Sequence, residues 1–254
     1  RVERTGAERV FQRIGQEYSS NIRAVDVVNS SDAAHLVVWK RNGWLEPHVP
    51  EDVAKFYPAE HKDVDGTFAS FRVFLSIIAY NTNLVKKEEA PKSFADLLDP
   101  KWKGKMVKAH PGYSGTIMTA TYQVSRDLGW GYFEKLAKQN ILQVQSAADP
   151  PKKLALGERA LQADGVEYLI LKLKESGQPV EPVYAVEGTP IIIGPNGLFK
   201  EAPNPNAARL FQSFCFSPEC QQLSIDIGGL RSVHPQTKEH AGRTPLSKIK
   251  LMKD

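Results

Sequence analysis

Apolar and polar positions along the chain follow a helical period in some stretches and a strand period in others, and the switches between them predict an alternating α/β chain. Val10, Phe11 and Ile14 recur at helical spacing behind Thr5-Gly6-Ala7-Glu8, where a hydroxyl precedes a glutamate by three residues, so a helix capped by Thr5 is expected. Ile22 to Val28 reads as a strand. Asn29-Ser30-Ser31-Asp32 then opens a second helix that runs to about Lys40 and stops at Gly43. Phe68 to Tyr80 is the longest β-like run. Ser93 caps a short helix, Met106 to Ala109 is a short strand, and Pro111-Gly112-Tyr113-Ser114-Gly115 turns into a helix broken at Gly129 and resumed to about Lys138. Ser146 to Asp149 caps another helix, Leu161 to Ala163 is a strand, and Val166 begins a helix to Lys174. A strand over Val183 to Glu187 precedes Thr189 to Ile193, with Pro195-Asn196-Gly197 read as a turn. Asn204-Pro205 starts a helix whose apolar positions 207, 210, 211, 214 and 215 share one face. Ser217 with Pro218 starts the last helix, which Gly228-Gly229 stops.

Strands alternating with helices imply a largely parallel sheet covered on both faces. Candidate crossings near residues 70–82 and 183–194 split the chain into outer and central portions, as two lobes joined by paired hinge strands would. A length of 254 residues allows one large or two small domains.

Composition changes this picture little: 41% hydrophobic and 24% charged residues are ordinary for a globular protein. No apolar run reaches the roughly 18 residues of a membrane span. The net charge is +4, but bases and acids are interspersed, and the densest basic stretch, Lys101 to Lys108, reads as a solvated turn and strand edge. No stripe of bases with interleaved aromatics exists, which argues against a nucleic-acid partner. Cys215 and Cys220 lack zinc-ligand spacing; a disulfide and a pair of buried thiols both remain open. Arg1 to Thr5 has no apolar leader region, so any leader is expected to have been removed or to lie outside this sequence.

Enzyme motifs are missing one by one: no dinucleotide glycine fingerprint, no phosphate loop, no nucleophile elbow. The six histidines (35, 48, 61, 110, 234, 240) are scattered singly and read as surface or loop residues, and no carboxylate pairing stands out. No catalytic residue and no cofactor is therefore expected. What recurs is small, hydroxyl-bearing helix starts: Arg4-Thr5-Gly6, Ser30-Ser31-Asp32 and Ser114-Gly115-Thr116. Helix N-termini present unpaired N–H groups and partial positive charge, and at strand ends of an open sheet they line the ligand crevice. Ordinary capping explains any one of them; together they suggest an anion site. Arg72 would clamp a carboxylate bidentately, and Tyr113 and Tyr168 would supply walls or donors.

Several longer stretches resemble the iron(III)-type family of extracellular solute-binding proteins of ABC importers. They are Ile78-Ala79-Tyr80-Asn81-Thr82, Ala90 through Lys105, Tyr113-Ser114-Gly115, Gly129 through Leu136, Asn204 through Phe211 and Ser217 through Gln222. The likeness covers essentially the whole chain. It implies a two-lobed type-II periplasmic-binding fold, each lobe a mixed, mostly parallel sheet flanked by helices. By that likeness lobe 1 comprises 1–76 plus about 190–230, and lobe 2 comprises 77–189 plus about 231–254. It further implies a monomer that closes on one solute between the lobes and delivers it to a permease and its ATPase, in the periplasm or as an extracellular lipid-anchored protein. Ferric members carry adjacent tyrosines near Asp164 to Leu169, whereas this chain reads Gly165-Val166-Glu167-Tyr168-Leu169 with one. That points away from iron(III), for which Tyr168 and Glu167 would be the ligands, and toward carboxylates, phosphonates or sugar phosphates. The likeness also implies about 50 residues of the first lobe before Arg1.

Overall fold

The structure, a computed structural model, describes residues 1–252. In chain order the elements are α1 (Ala7–Ser19), β1 (Val27–Asn29), α2 (Ala33–Arg41), β2 (Leu45–Glu46), α3 (Glu51–Phe56), β3 (Phe68–Leu75), β4 (Ile78–Asn81) and β5 (Met106–Ala109). There follow α4 (Gly115–Leu128), α5 (Trp130–Ala137), β6 (Leu142–Val144), α6 (Asp149–Ala155), β7 (Leu161–Gln162), α7 (Glu167–Glu175), β8 (Val180–Val183), β9 (Ile191–Phe199), α8 (Pro205–Phe216) and α9 (Pro218–Asp226). No helix of the described residues is long and apolar enough to cross a membrane.

The chain divides into two compact units: unit 1 is Arg1–Val73 with Ile193–Ala241, and unit 2 is Phe74–Ile192 with the described residues from Gly242 onward. Residues 231–241, expected in the second lobe, lie in unit 1. Arg231 and Val73 exchange both backbone hydrogen bonds, at 2.8 and 3.1 Å, and tie that segment to β3. Positions 253 and 254 of the expected second lobe lie outside the described residues.

Unit 1 is organised by β9, which pairs antiparallel with β1 (Val27 opposite Leu198) and with β2 (Leu45 opposite Phe199), and also with β3. Pro195-Asn196-Gly197, expected as a turn, is therefore the middle of a strand. Pro195, which has no N–H to give the ladder, contributes its carbonyl, which accepts from Ser30 N–H at 3.2 Å. Gly197 is required for a different reason: a side chain would start 2.8 Å from Leu36 Cδ1. The α2 helix follows its sequence closely. Asp32 caps it, accepting from Ala34 N–H at 2.9 Å, Lys40 and Arg41 complement its C-terminal end, and Gly43 leaves it at φ 72°. Its Leu36 and Trp39 are fully buried with Ile14, Tyr18, Val28, Leu45 and Phe199, each aliphatic side chain contributing roughly 1.5–3 kcal/mol.

Unit 2 holds a sheet in the order β6-β5-β7-β4-β8. Parallel pairing is confined to β5 with β6 and β5 with β7, while β4 runs antiparallel to both β7 and β8. The sheets are mixed, and the expected parallel majority gives way because β9 and β4 each return against their neighbours. All four residues of β4 are buried: Ile78 and Tyr80 pack on one face with Leu97, Met106 and Leu161, and Ala79 on the other with Leu75, Ile77, Leu154 and Ile170. The stretch expected as a strand over Val183 to Glu187 is largely irregular, the strand falling earlier, at β8.

Candidate ligand-binding site

In unit 1 the polar residues gather where β1 leaves the sheet. Asn29 donates its side-chain amide to the carbonyls of Gly194 and Pro195, at 2.8 and 3.0 Å. Arg72, on β3, lies along the same Gly194: a side chain there would start 2.7 Å from Arg72 Cγ and Nε, so only glycine lets the guanidinium stem rest on the β9 backbone. Ser30 is 2% exposed, and its hydroxyl is committed inside the protein, accepting from Asp32 N–H at 3.1 Å and bonding His35 Nδ1 at 2.9 Å. His35 Nε2 in turn stands 3.2 Å from Glu8 Oε1, in the first turn of α1, and 3.9 Å from Asp32 Oδ2. This contact brings the starts of α1 and α2 together. The two starts differ: Asp32 caps α2 with its carboxylate, whereas α1 begins at Gly6 with no side-chain cap and Arg4, Thr5 and Gly6 all exposed. Thr5, expected to cap α1, does not; the cap position falls one residue later, on an extended Gly6 at φ −60° and ψ 142°.

In unit 2 the parallel strands β5 and β7 end side by side, so the helices that follow them, α4 and α7, begin at one edge of the sheet. Ser114 caps α4, its Oγ accepting from Ile117 N–H at 3.4 Å, and Ser114, Gly115 and Thr116 are all buried. Tyr113 is half exposed beside His110, with ring centroids 5.4 Å apart. At α7, Tyr168 packs edge-on against Phe74 at 5.8 Å, and Glu167 is 1% exposed with Oε1 accepting from the Tyr184 hydroxyl at 2.6 Å. Between the two helix starts Lys108 Nζ bonds Asp164 Oδ2 at 3.0 Å, both side chains nearly buried. Burial raises the Asp164 carboxyl above the ordinary carboxylate value, opposed by Lys108. Lys108 thus leaves the solvated edge expected for the Lys101 to Lys108 stretch, because β5 is an interior strand flanked by β6 and β7.

Of the expected site residues in unit 1, Arg72 lies against Gly194 and Ser30 N–H bonds the neighbouring Pro195, Ser31 follows directly ahead of α2, and Arg4, Thr5 and Gly6 form the exposed lead into α1. Unit 2 places Tyr113, Ser114, Gly115 and Thr116 at one helix start and Glu167 with Tyr168 at its neighbour. Glu8, Asn29, His35 and the Lys108–Asp164 pair escape a reading of the sequence. The signal for His35 was the Asp32-x-x-His35 spacing, which puts both on one face of α2; nothing in the sequence pointed from it to Glu8.

A family model described as bacterial extracellular solute-binding protein matches residues 25–246. An uncharacterized protein of Haemophilus influenzae is 30% identical over 225 residues, spanning 82% of this chain and 63% of that protein. Iron uptake protein A1 of Synechocystis is 24% identical over 237 residues, spanning 85% of this chain and likewise 63% of its own length. The chain thus spans less than two thirds of these relatives. Among solved structures, the periplasmic binding protein AfuA of Actinobacillus pleuropneumoniae, with exogenous fructose-6-phosphate bound, superposes with a TM-score of 0.89 at 27% identity. The match covers 98% of this chain and 81% of AfuA. Iron-bound HitA of Pseudomonas aeruginosa shares the fold, with a TM-score of 0.86 at 19% identity over 100% of this chain and 83% of HitA.

Proposed function

The chain belongs to the bacterial extracellular solute-binding protein family, and from that premise we propose that it captures a small organic anion for an ABC importer in the periplasm. Its role is binding and delivery to a permease and ATPase, without turnover and as a monomer. The observation that carries the anion is in unit 1: α1 opens with an uncapped, exposed N-terminus held beside the start of α2, and Arg72 is seated on Gly194, whose carbonyl accepts from Asn29 just ahead of α2. Uncapped N–H groups and a guanidinium are what a carboxylate or phosphoryl group requires. Ser31 adds a hydroxyl just ahead of α2. The fructose-6-phosphate bound to AfuA makes sugar phosphates the first class to test, ahead of carboxylates and phosphonates. Iron(III) is the rival cargo, given what HitA and the Synechocystis relative are named for. Against it, Glu167 is buried and already engaged by Tyr184, and Tyr168 has no tyrosine neighbour in sequence.

The test is a thermal-shift panel of fructose-6-phosphate, citrate, a phosphonate and ferric citrate, followed by calorimetry on Arg72→Ala. A ligand at about 100 times its Kd adds about 2.7 kcal/mol to the native state. Losing charge-assisted hydrogen bonds of about 1.5–3 kcal/mol each predicts at least a tenfold weaker Kd for Arg72→Ala. A shift with ferric citrate but not citrate would replace the anion reading with iron, and an unchanged Kd would remove Arg72 from the site.

A further inference from the structure

Glu8, Asp32 and His35 place three metal-competent atoms within 4.8 Å of one another in unit 1, and we infer that they form a binding site for a divalent transition-metal ion of the zinc type. The three come from two elements, Glu8 from the first turn of α1 and the other two from the start of α2, so the site exists only in the folded unit.

The geometry is that of donors around a shared centre more than of donors satisfying each other. His35 Nε2 and Glu8 Oε1 are 3.2 Å apart, yet Glu8 Oε1 is buried and accepts no hydrogen bond, so the contact lacks the alignment of one. Zinc bonds nitrogen and carboxylate oxygen at about 2.0–2.2 Å, which sets neighbouring ligands of a tetrahedron about 3.3 Å apart. The Glu8–His35 edge already has that length. The Asp32–His35 edge, at 3.9 Å, needs an inward shift of the carboxylate by roughly half an ångström. Asp32 can make it with Oδ2 because its cap bond to Ala34 N–H uses Oδ1.

The surroundings are those of a supported ligand. His35 is 5% exposed, its ring stacked on Phe11 at 4.4 Å and 15°. Its Nδ1 is 2.9 Å from Ser30 Oγ, a hydroxyl able to accept Nδ1–H when Nε2 binds a metal. Three protein ligands leave one tetrahedral position for water or an anion. Charge also favours a cation: Glu8 and Asp32 put two carboxylates at helix starts where the proposed solute is itself an anion, and a bound dication would cancel them. That last consequence rests on the anion reading; the metal site does not.

The experiment is zinc titration of the chelator-stripped full chain against a chromophoric competitor, in buffer free of phosphate and citrate, with cobalt(II) as a spectroscopic substitute. One equivalent of zinc should bind the native chain, and cobalt should give the intense visible bands of a tetrahedral site. Glu8→Gln, which keeps the shape of the side chain, should weaken zinc at least tenfold, and His35→Gln should weaken it at least a hundredfold and abolish the cobalt bands. The thiols of Cys215 and Cys220 are the competing ligands in this unit, so Cys220→Ser must leave the affinity unchanged. Zinc that fails to bind the native chain stoichiometrically, binds Glu8→Gln and His35→Gln as tightly, or is lost with Cys220→Ser overturns the site. Circular dichroism of each variant separates lost ligands from lost fold.

Discussion

The start of α1 in unit 1 and the start of α4 in unit 2 leave their backbone donors in opposite states. In unit 1, α1 begins on an exposed glycine with no side chain covering its first N–H groups. In unit 2, α4 begins on a buried serine whose hydroxyl already accepts one of them, with Gly115 and Thr116 buried behind it. Similar short sequences, Thr-Gly-Ala and Ser-Gly-Thr, thus serve an open donor surface in one place and an internally satisfied turn in the other. Charge follows the same division. Unit 1 keeps Glu8, Asp32 and Arg72 only partly buried, whereas unit 2 seals Lys108 against Asp164. Similar sequence at a helix start thus does not decide whether its first N–H groups are already bonded or left open.

The largest test of that contrast is the sealed pair. Lys108→Met strands a buried carboxylate and should cost about 3–5 kcal/mol in urea unfolding, while Lys108→Met with Asp164→Leu should recover most of the loss. If the single and double variants are equally unstable, the pair is not what the site depends on. Proton linkage gives a second reading. Because Asp164 is raised above its ordinary value of 3.8, the folded form binds that proton more readily than the unfolded chain. Its contribution to stability therefore falls as pH rises from 3.8 through the folded pKa, and Lys108→Met should steepen that fall in urea midpoints measured against pH.

A smaller effect separates the helix starts themselves. Ser114→Ala removes a working cap and should destabilise by about 1 kcal/mol, whereas Thr5→Ala should stay within about 0.5 kcal/mol of the parent. Equal losses would mean that α1 is capped in solution after all. The smallest effect concerns how far unit 1 is open. Cys215 lies against Val53, Tyr57 and Phe216, and burial, aided by the neighbouring Cys220, pushes its thiol up to about 12. Alkylation at pH 8 should label Cys220 first and Cys215 only after unfolding; labelling of neither before reduction would establish the disulfide that the spacing left open.

Elements with local signals were legible in the sequence. Ser217-Pro218, Gly129, Gly43 and the run Met106 to Ala109 carry caps, stops or uninterrupted apolar character, and each falls where expected. Elements defined by distant partners were not. Pro195-Asn196-Gly197 has the composition of a turn, and only pairing with a strand far away in sequence makes it one. The Phe68 to Tyr80 run is interrupted between β3 and β4 because Ile77 N–H bonds Gly165, outside either strand. On α8 the apolar stripe misled: Leu210, Phe211 and Phe214 are 74%, 52% and 44% exposed, while Ala208, Gln212, Cys215 and Phe216 are buried. Periodicity found the helix but not its inner face, which is set by what α3 and β3 offer to Cys215 and Phe216. At the candidate site the helix starts and Arg72 could be read from residue types. The partners that decide their state, Gly194 and Glu8, lie too far along the chain for spacing to reveal.

The position of β9 also sets which sheet can be completed first as the chain becomes available from its amino-terminal side. The strand that joins β1, β2 and β3 into one sheet is made only after every strand of unit 2 has been synthesised. Unit 2 can close its β4–β8 sheet from one continuous stretch as it emerges, but the first strands of unit 1 must wait, unpaired and apolar, for a partner more than half the chain away. Completion of the unit 1 sheet therefore waits on β9, later in the chain than the whole sheet of unit 2. During that interval the exposed strands of unit 1 are the segment in most need of a chaperone.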